Sequence, residues 1–279
     1  MISGLKINVI LRKFAQSFSM PVITLISDWG PRDHYTGAVK GAILRHDPAI
    51  QVVDITHEIS SFNILQASFV LRNSYKEFPE GTIHIIGVNT EESEEQPHIA
   101  VSHKGHFFIG ADNGIFSLAF DEPPEKAIEI DVPQDADFFT FSTRDRFVKA
   151  ACHIAAGKPM EELGFVRTQL TEKHHFKPVI ESSLIIGKVI YIDGYENIFV
   201  NITREIFEKY RQRRSFEIQL RHAEYQISKI CRSYSDVKEG EYVALFSSTG
   251  FLEIAINLGT AASLLGIEVD DLIRIEFTD

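Results

Sequence analysis

Three polar residues in this chain stand where an apolar run ends and a turn begins. Asn89 closes the run Thr82–Val88 and opens the acidic stretch Asn-Thr-Glu-Glu-Ser-Glu-Glu, 89–95. Asp28 follows the run Val22–Ser27 and precedes Trp29-Gly30. Asp193 heads the sequence Asp-Gly-Tyr-Glu-Asn after the run Leu184–Ile192. The carboxyl ends of strands in α/β sheets are where such folds place their chemistry. Asp28, once ionised, can accept two O–H donors at the same time, or make an Asx turn ahead of Pro31. Asp33 can pair with an amino group or cap the helix that begins beside it. Asp193 and Asn197 sit in a segment with strong turn chemistry of its own. Asn89 is different: a neutral amide has no pKa near operating pH and cannot take a proton from water as a general base.

These residues need elements to hold them. The run 22–27 reads as a buried strand and Tyr35 to Arg45 as a helix with Ala38, Ala42 and Leu44 inward. QVVDIT is a second strand; Ile64 to Phe78 is an amphipathic helix with Leu65, Phe69, Leu71 and Tyr75 on one broad face. TIHIIGV, 82–88, is a third strand. This alternation implies right-handed crossovers and a mainly parallel sheet. HIAVSH and HFFIGA around Lys104-Gly105 read as a hairpin, and Phe147 to Ala156 as a helix stopped by Gly157. Residues 158–183 are irregular and charged. From Leu184 short strands dominate, with only Arg204–Arg213 and Ala261–Leu265 helical, suggesting a small antiparallel barrel or sandwich.

At 279 residues the chain can bury a large core in one big domain or two modest ones. Its net charge of −11 argues against a nucleic-acid partner and against docking on anionic lipid. A small molecule or a protein remains. Cys152 and Cys231 lie far apart without metal-ligand spacing, which suits a reduced, cytoplasmic protein. No run reaches the roughly 20 apolar residues that span a bilayer. The first 19 residues mix basic and apolar types without the zones of a signal peptide, and Met20 stands just before the first strand; 1–20 reads as an N-terminal extension.

Four segments together resemble the S-adenosylmethionine hydroxide adenosyltransferases, a family that includes fluorinating and chlorinating enzymes. They are ITLISDWGPRDHYTGAVKGAI (23–43), VVDITHEISSFNILQASFVLRNSYKEFPEGTIHIIGV (52–88), FIGADNGIFSL (108–118), and the pair YIDGYENIFVNI (191–202) with FSSTGFLEIAINLGTAASLLG (246–266). The resemblance implies an α/β domain with a mainly parallel sheet over 21–165, a linker over 166–183 and a smaller β-barrel over 184–279. It also implies a homotrimer, with an adenosine-containing ligand between one subunit's N-terminal domain and a neighbour's C-terminal domain.

On this resemblance Asp28, with Trp29 beside it, takes the ribose diol, and Asp33 and Tyr35 lie near the methionine end. Asp193 and Asn197 match the pair for the ligand amino group and the adenine edge. Phe199 could stack on the purine or point into the core. Ser248 matches a hydroxyl that contacts the methionine carboxylate. Asp54, His57 and Glu58 belong to a shared segment and could be mechanistic or structural, whereas Glu253 looks structural.

The hydrolytic relatives use an aspartate, an arginine seven residues on and a later histidine to generate or position hydroxide. Where their loop reads roughly DPGVGTxRR, this chain reads NTEESEEQP, with Asn89 at the aspartate and Gln96 at the arginine. TFSTRD places Ser142 at the histidine, while Arg144 and Asp145 survive. Thr143 falls near a position where a hydroxyl can contact halide. Glu91, Glu92, Glu94 and Glu95 read as a solvated loop; facing inward they would disfavour an anion or could serve a metal, though no metal site or cofactor is expected. The ligand positions match and the water-handling positions do not. The expected function is binding of adenosine or S-adenosylmethionine with weak or altered hydrolysis to adenosine and methionine. The alternatives are an inactive adenosyl-ligand binding protein and a halide-dependent adenosyltransferase.

Overall fold

The computed structural model describes residues 20–134, 140–220 and 226–278; all but Met20 of the expected extension lies outside them. Two compact units meet in sequence between Lys173 and His174.

The first unit is built on seven strands: β1 (Val22–Ser27), β2 (Gln51–Thr56), β3 (Ile83–Gly87), β4 (His98–His103), β5 (His106–Ala111), β6 (Lys126–Ile130) and β7 (Gly164–Val166). Their order is β2-β1-β3-β5-β4-β6-β7. The stretch β2-β1-β3-β5 is parallel, as the strand–helix alternation requires. An antiparallel flank, β5-β4-β6-β7, extends it. The Lys104-Gly105 hairpin pairs His103 with His106, and both turn residues take positive φ (48° and 79°), as a two-residue hairpin needs.

Each sheet face carries helices. On one, Ile23, Leu25, Ile83 and Ile85 pack with Val39 and Ile43 of the helix Tyr35–His46 and with Val148 and Ile154 of the helix Val148–Ala155. On the other, Ile26, Ile86, Val101 and Phe108 pack with Ile64, Ala67 and Leu71 of the helix Ile64–Ser74. The expected helix faces are corrected in detail. Val39, Ala42 and Ile43 turn inward, while Ala38 is half-buried and Leu44 is exposed, because each residue rotates the helix by about 100°. In the next helix the buried stripe is Ile64, Ala67, Ser68 and Leu71, with Leu65 outward; Tyr75 opens a 3₁₀ turn, Tyr75–Glu77, that replaces the expected last helical turn.

The second unit carries β8 (Val179–Ile180), β9 (Leu184–Ile192), β10 (Ile198–Thr203), β11 (Ser215–Gln219), β12 (Gln226–Ile227), β13 (Ile230–Cys231), β14 (Tyr242–Phe246), β15 (Phe251–Ile256) and β16 (Leu272–Thr278). The order β12-β11-β16-β9-β10-β15-β14-β13 curls until β12 nears β14, so the sheet is almost a barrel. β8 adds to β9. Ile185, Val189, Ile198, Val200, Leu252, Ile254, Ile273 and Ile275 fill its interior. The helix Arg204–Arg211 seats the fully buried Phe207 against Phe216, Phe246 and Phe277. It ends two residues earlier than expected, because Gln212 and Arg213 take positive φ (48° and 69°). Among the described residues no helix is long and apolar enough to cross a membrane.

Candidate functional site

In the first unit the parallel strands deliver Asp28, His57, Asn89 and Asp112 to one sheet edge, just past the carboxyl ends of β1, β2, β3 and β5. Asp28 Oδ2 accepts the backbone N–H of Phe62 at 2.8 Å. That bond uses one lone pair and leaves the carboxylate capacity for a diol. Phe62 itself has φ +64° and is 72% exposed, an uncommon state for an aromatic residue. Sequence reasoning passed over it; the only signal was an aromatic directly ahead of Asn63, the N-cap whose side chain accepts from Gln66 N–H at 3.0 Å.

Trp29 packs against β3: a Cβ on Gly87 would stand 2.5 Å from its Cζ2, so only glycine fits beside the ring. Phe141 meets Trp29 edge-on at 5.7 Å and Tyr35 at 5.2 Å, which makes a small aromatic wall beside Asp28. The N-cap of the helix Tyr35–His46 is His34, not Asp33, and its side chain makes no capping bond. Asp33 is exposed one residue earlier.

Asn89 adopts φ +49°, a left-handed conformation that asparagine tolerates better than most residues. Its carbonyl accepts from Gln96 Nε2 at 3.1 Å and from Asn113 Nδ2 at 3.1 Å. Gln96 Nε2 also reaches the carbonyl of Glu91 at 2.7 Å. The Gln96 amide therefore stitches the loop to itself. Glu91, Glu94 and Glu95 are exposed, in keeping with a solvated loop. Glu92 is tied down: its carboxylate accepts from Arg146 Nη1 at 2.5 Å, and Arg146 also donates to the carbonyls of Val132 and Ile130. His98, buried beneath, bonds the carbonyl of Thr90 at 2.9 Å through Nε2. Burial pushes its imidazole pKa down, and this outweighs the upward pull of the Thr90 carbonyl and Glu92.

Ser142 precedes a single π-helical turn, Thr143–Phe147, that packs against β3 and the helix Tyr35–His46. Such turns recur at functional sites. Ser142 is half-buried and Thr143 almost completely buried. Arg144 grips Asp145 in a fork, Nε to Oδ1 at 2.5 Å and Nη2 to Oδ2 at 2.8 Å. Among the described residues no three His, Cys, Asp or Glu side chains converge as metal ligands.

In the second unit Asp193 does the work of its turn. Oδ1 accepts the backbone N–H groups of Tyr195 and Asn197, both at 2.9 Å, and Oδ2 accepts Asn197 Nδ2 at 3.1 Å. Phe199 is buried outside the barrel interior, facing Tyr191 at 5.8 Å. Opposite it on β15, the buried Glu253 accepts the Tyr234 hydroxyl at 2.5 Å. Burial raises the Glu253 carboxyl above the ordinary range, with Asp193 adding to the effect against the Tyr234 bond. Burial also raises the Tyr234 hydroxyl, reinforced by Glu253. Ser248 is exposed at the β14–β15 hairpin, where Ser247 and Thr249 bond to each other. The antiparallel register puts this hairpin at the Thr203 end of β10 and the Asp193–Asn197 turn at the Ile198 end.

Comparison with known proteins assigns both units. Residues 23–164 match the SAM hydroxide adenosyltransferase N-terminal domain and residues 187–274 its C-terminal domain. The chain belongs to the SAM hydroxide adenosyltransferase family. An (R)-S-adenosyl-L-methionine hydrolase of Methanocaldococcus jannaschii is 30% identical over 92% of this chain and 96% of its own. A fluorinase of Nocardia brasiliensis is 24% identical over 87% of this chain and 92% of its own. Among solved structures, an uncharacterized conserved protein from Thermotoga maritima superposes with a TM-score of 0.82 at 30% identity, covering 91% of this chain and 99% of that one. For a SAM hydroxide adenosyltransferase, the arrangement separates into parts. Asp28, Trp29 and Tyr35 come together with Phe141 around one turn. Asn89 and Gln96 meet through the backbone. Asp193 and Asn197 share one turn, away from Ser248.

Proposed function

We propose that this chain binds adenosine or S-adenosylmethionine and cleaves S-adenosylmethionine to adenosine and methionine only weakly, or by an altered route. The observation that carries this reading is the direction of the Gln96 carboxamide, which is spent on the carbonyls of Asn89 and Glu91. Positions 89 and 96, bonded in that way, offer neither a carboxylate nor a guanidinium to an attacking water. Asp28, by contrast, retains acceptor capacity beside an aromatic wall. The sulfonium is a good leaving group, so an in-line water in a desolvated site supports slow turnover. The same loop favours a second reading, an adenosyl-ligand binding protein without turnover.

The proposal includes a cytoplasmic homotrimer in which neighbouring subunits share each ligand, as the resemblance implies. Titration calorimetry with adenosine tests it. The wild type is expected to bind and Asp28→Ala to lose at least about tenfold in affinity, the scale of lost hydrogen bonds to a charged group. Equal affinities would refute the ribose role of Asp28.

A further inference from the structure

Beside the proposed ribose carboxylate runs a chain of four polar side chains drawn from three elements. Ser27 Oγ lies 2.6 Å from His57 Nδ1. The other nitrogen of that ring, Nε2, lies 3.1 Å from Asp54 Oδ1, near but short of a straight hydrogen bond. Lys40 Nζ donates to Asp54 Oδ2 at 2.5 Å. Burial pushes the Asp54 carboxyl up, but the Lys40 bond and the close approach of His57 prevail and hold it below the ordinary carboxylate range. An ionised Asp54 favours the proton on Nε2, which leaves Nδ1 to accept the Ser27 hydroxyl.

These are the residue types of a Ser-His-Asp triad, yet Ser27 has no exposed surface from which to attack a substrate. What the imidazole does reach is the turn that carries Asp28. His57 lies nearly parallel to the Trp29 indole, with centroids 6.0 Å apart and planes 14° apart. Its carbonyl accepts the Gly30 N–H at 2.7 Å. Through Ser27 on one side and Trp29 and Gly30 on the other, His57 holds the backbone on both sides of Asp28.

We propose that His57 is a positioning residue of the adenosyl pocket: oriented by Asp54, it fixes the Trp29 ring and the Asp28 turn in the geometry that binds a nucleoside. This inference rests on the reading of Asp28 as the ribose carboxylate.

Trp29 is the sole tryptophan, so tryptophan emission reports on the surroundings of this one ring. Adenosine affinity, tryptophan emission and melting temperature are to be measured for wild type, His57→Leu, His57→Asn and Asp54→Asn. The Asp54 side chain is 38% exposed, so its substitution leaves the fold intact and decides the matter if His57→Leu misfolds. Affinity is expected to fall about tenfold in His57→Leu and about threefold in Asp54→Asn, with shifted Trp29 emission and little change in melting. His57→Asn, whose amide can still meet Ser27, should recover part of the loss. Absence of binding in the wild type would overturn the pocket and this proposal with it. Wild-type binding that persists unchanged in Asp54→Asn and in any folded His57 variant, with Trp29 emission unaltered, would overturn the role of His57 alone.

Discussion

Gln96 donates its side-chain N–H to the backbone carbonyl of Asn89 at 3.1 Å, so two of the three positions that the resemblance sets against a hydrolytic triad touch each other. A charged aspartate–arginine pair seven residues apart would face the reacting water; here the later residue folds back and closes the loop. In the proposed reading, the same two residues that would withhold a charged group from water also bond the loop to itself.

Restoring the charges tests that relationship. The combined variant Asn89→Asp, Gln96→Arg, Ser142→His is expected to raise S-adenosylmethionine hydrolysis at least about tenfold, below the 10²–10⁴ typical of a well-placed general base. Aspartate tolerates the left-handed backbone at position 89, φ +49°, about as well as asparagine. A rate unchanged while adenosine still binds would mean the loop cannot present the triad.

The Arg146–Glu92 tie should matter to stability as well as to loop order. Arg146 donates to Glu92 and to the carbonyls of Val132 and Ile130, and its side chain is only 11% exposed. Arg146→Ala is expected to cost about 2 kcal/mol, mostly from the orphaned carbonyls, because Glu92 is solvent-screened. Urea unfolding of the single and double variants with Glu92→Ala measures the coupling; a loss below about 0.5 kcal/mol in Arg146→Ala would contradict it.

Gly87→Ala drives a methyl into the Trp29 ring, 2.5 Å from Cζ2. The expected result is a stability loss of about 1–3 kcal/mol from overpacking, a changed tryptophan emission and weaker adenosine binding. Unchanged emission would show that the ring does not lie on Gly87 in solution.

Mild acid should destabilise the first unit. Burial, with a smaller contribution from His106, lowers the His84 pKa to about 3; burial likewise lowers His98, His103 and His106. A depressed imidazole pKa means that the unfolded chain binds the proton and the folded chain does not. The stability is complete above the unfolded value of 6.5 and is lost as pH falls from there towards about 3. His84 alone gives a slope near 1.4 kcal/mol per pH unit in that window. Urea midpoints at pH 7, 6 and 5 measure it, above the range where most carboxylates titrate. A flat midpoint would contradict the burial of these imidazoles.

Much of the fold was readable from period alone. The β-runs at 22–27, 51–56 and 82–88 and the Lys104-Gly105 hairpin all reappear, because alternation and turn chemistry are local. Helix facing was less legible: Leu44 and Leu65 are apolar yet point outward, since a helix has more apolar residues than its buried stripe can hold. At the site, the residue types at 89, 96 and 142 are plain in the sequence, and the resemblance alone sets them against a triad. The contacts of their neighbours could not. Arg146 finds Glu92 across 54 positions, and Tyr234 finds Glu253 across 19, pairings that only the folded chain specifies. Asp193 illustrates the remaining ambiguity, because a carboxylate that organises a turn and one that meets a ligand have the same local sequence.

The most direct measurement is chromatography of an overnight incubation with S-adenosylmethionine, paired with calorimetry on the same sample. The expected result is measurable binding with adenosine and methionine released far more slowly than by an Asp-Arg-His-bearing hydrolase run in parallel. Release at the rate of that hydrolase, or no binding of adenosine or S-adenosylmethionine, would contradict it.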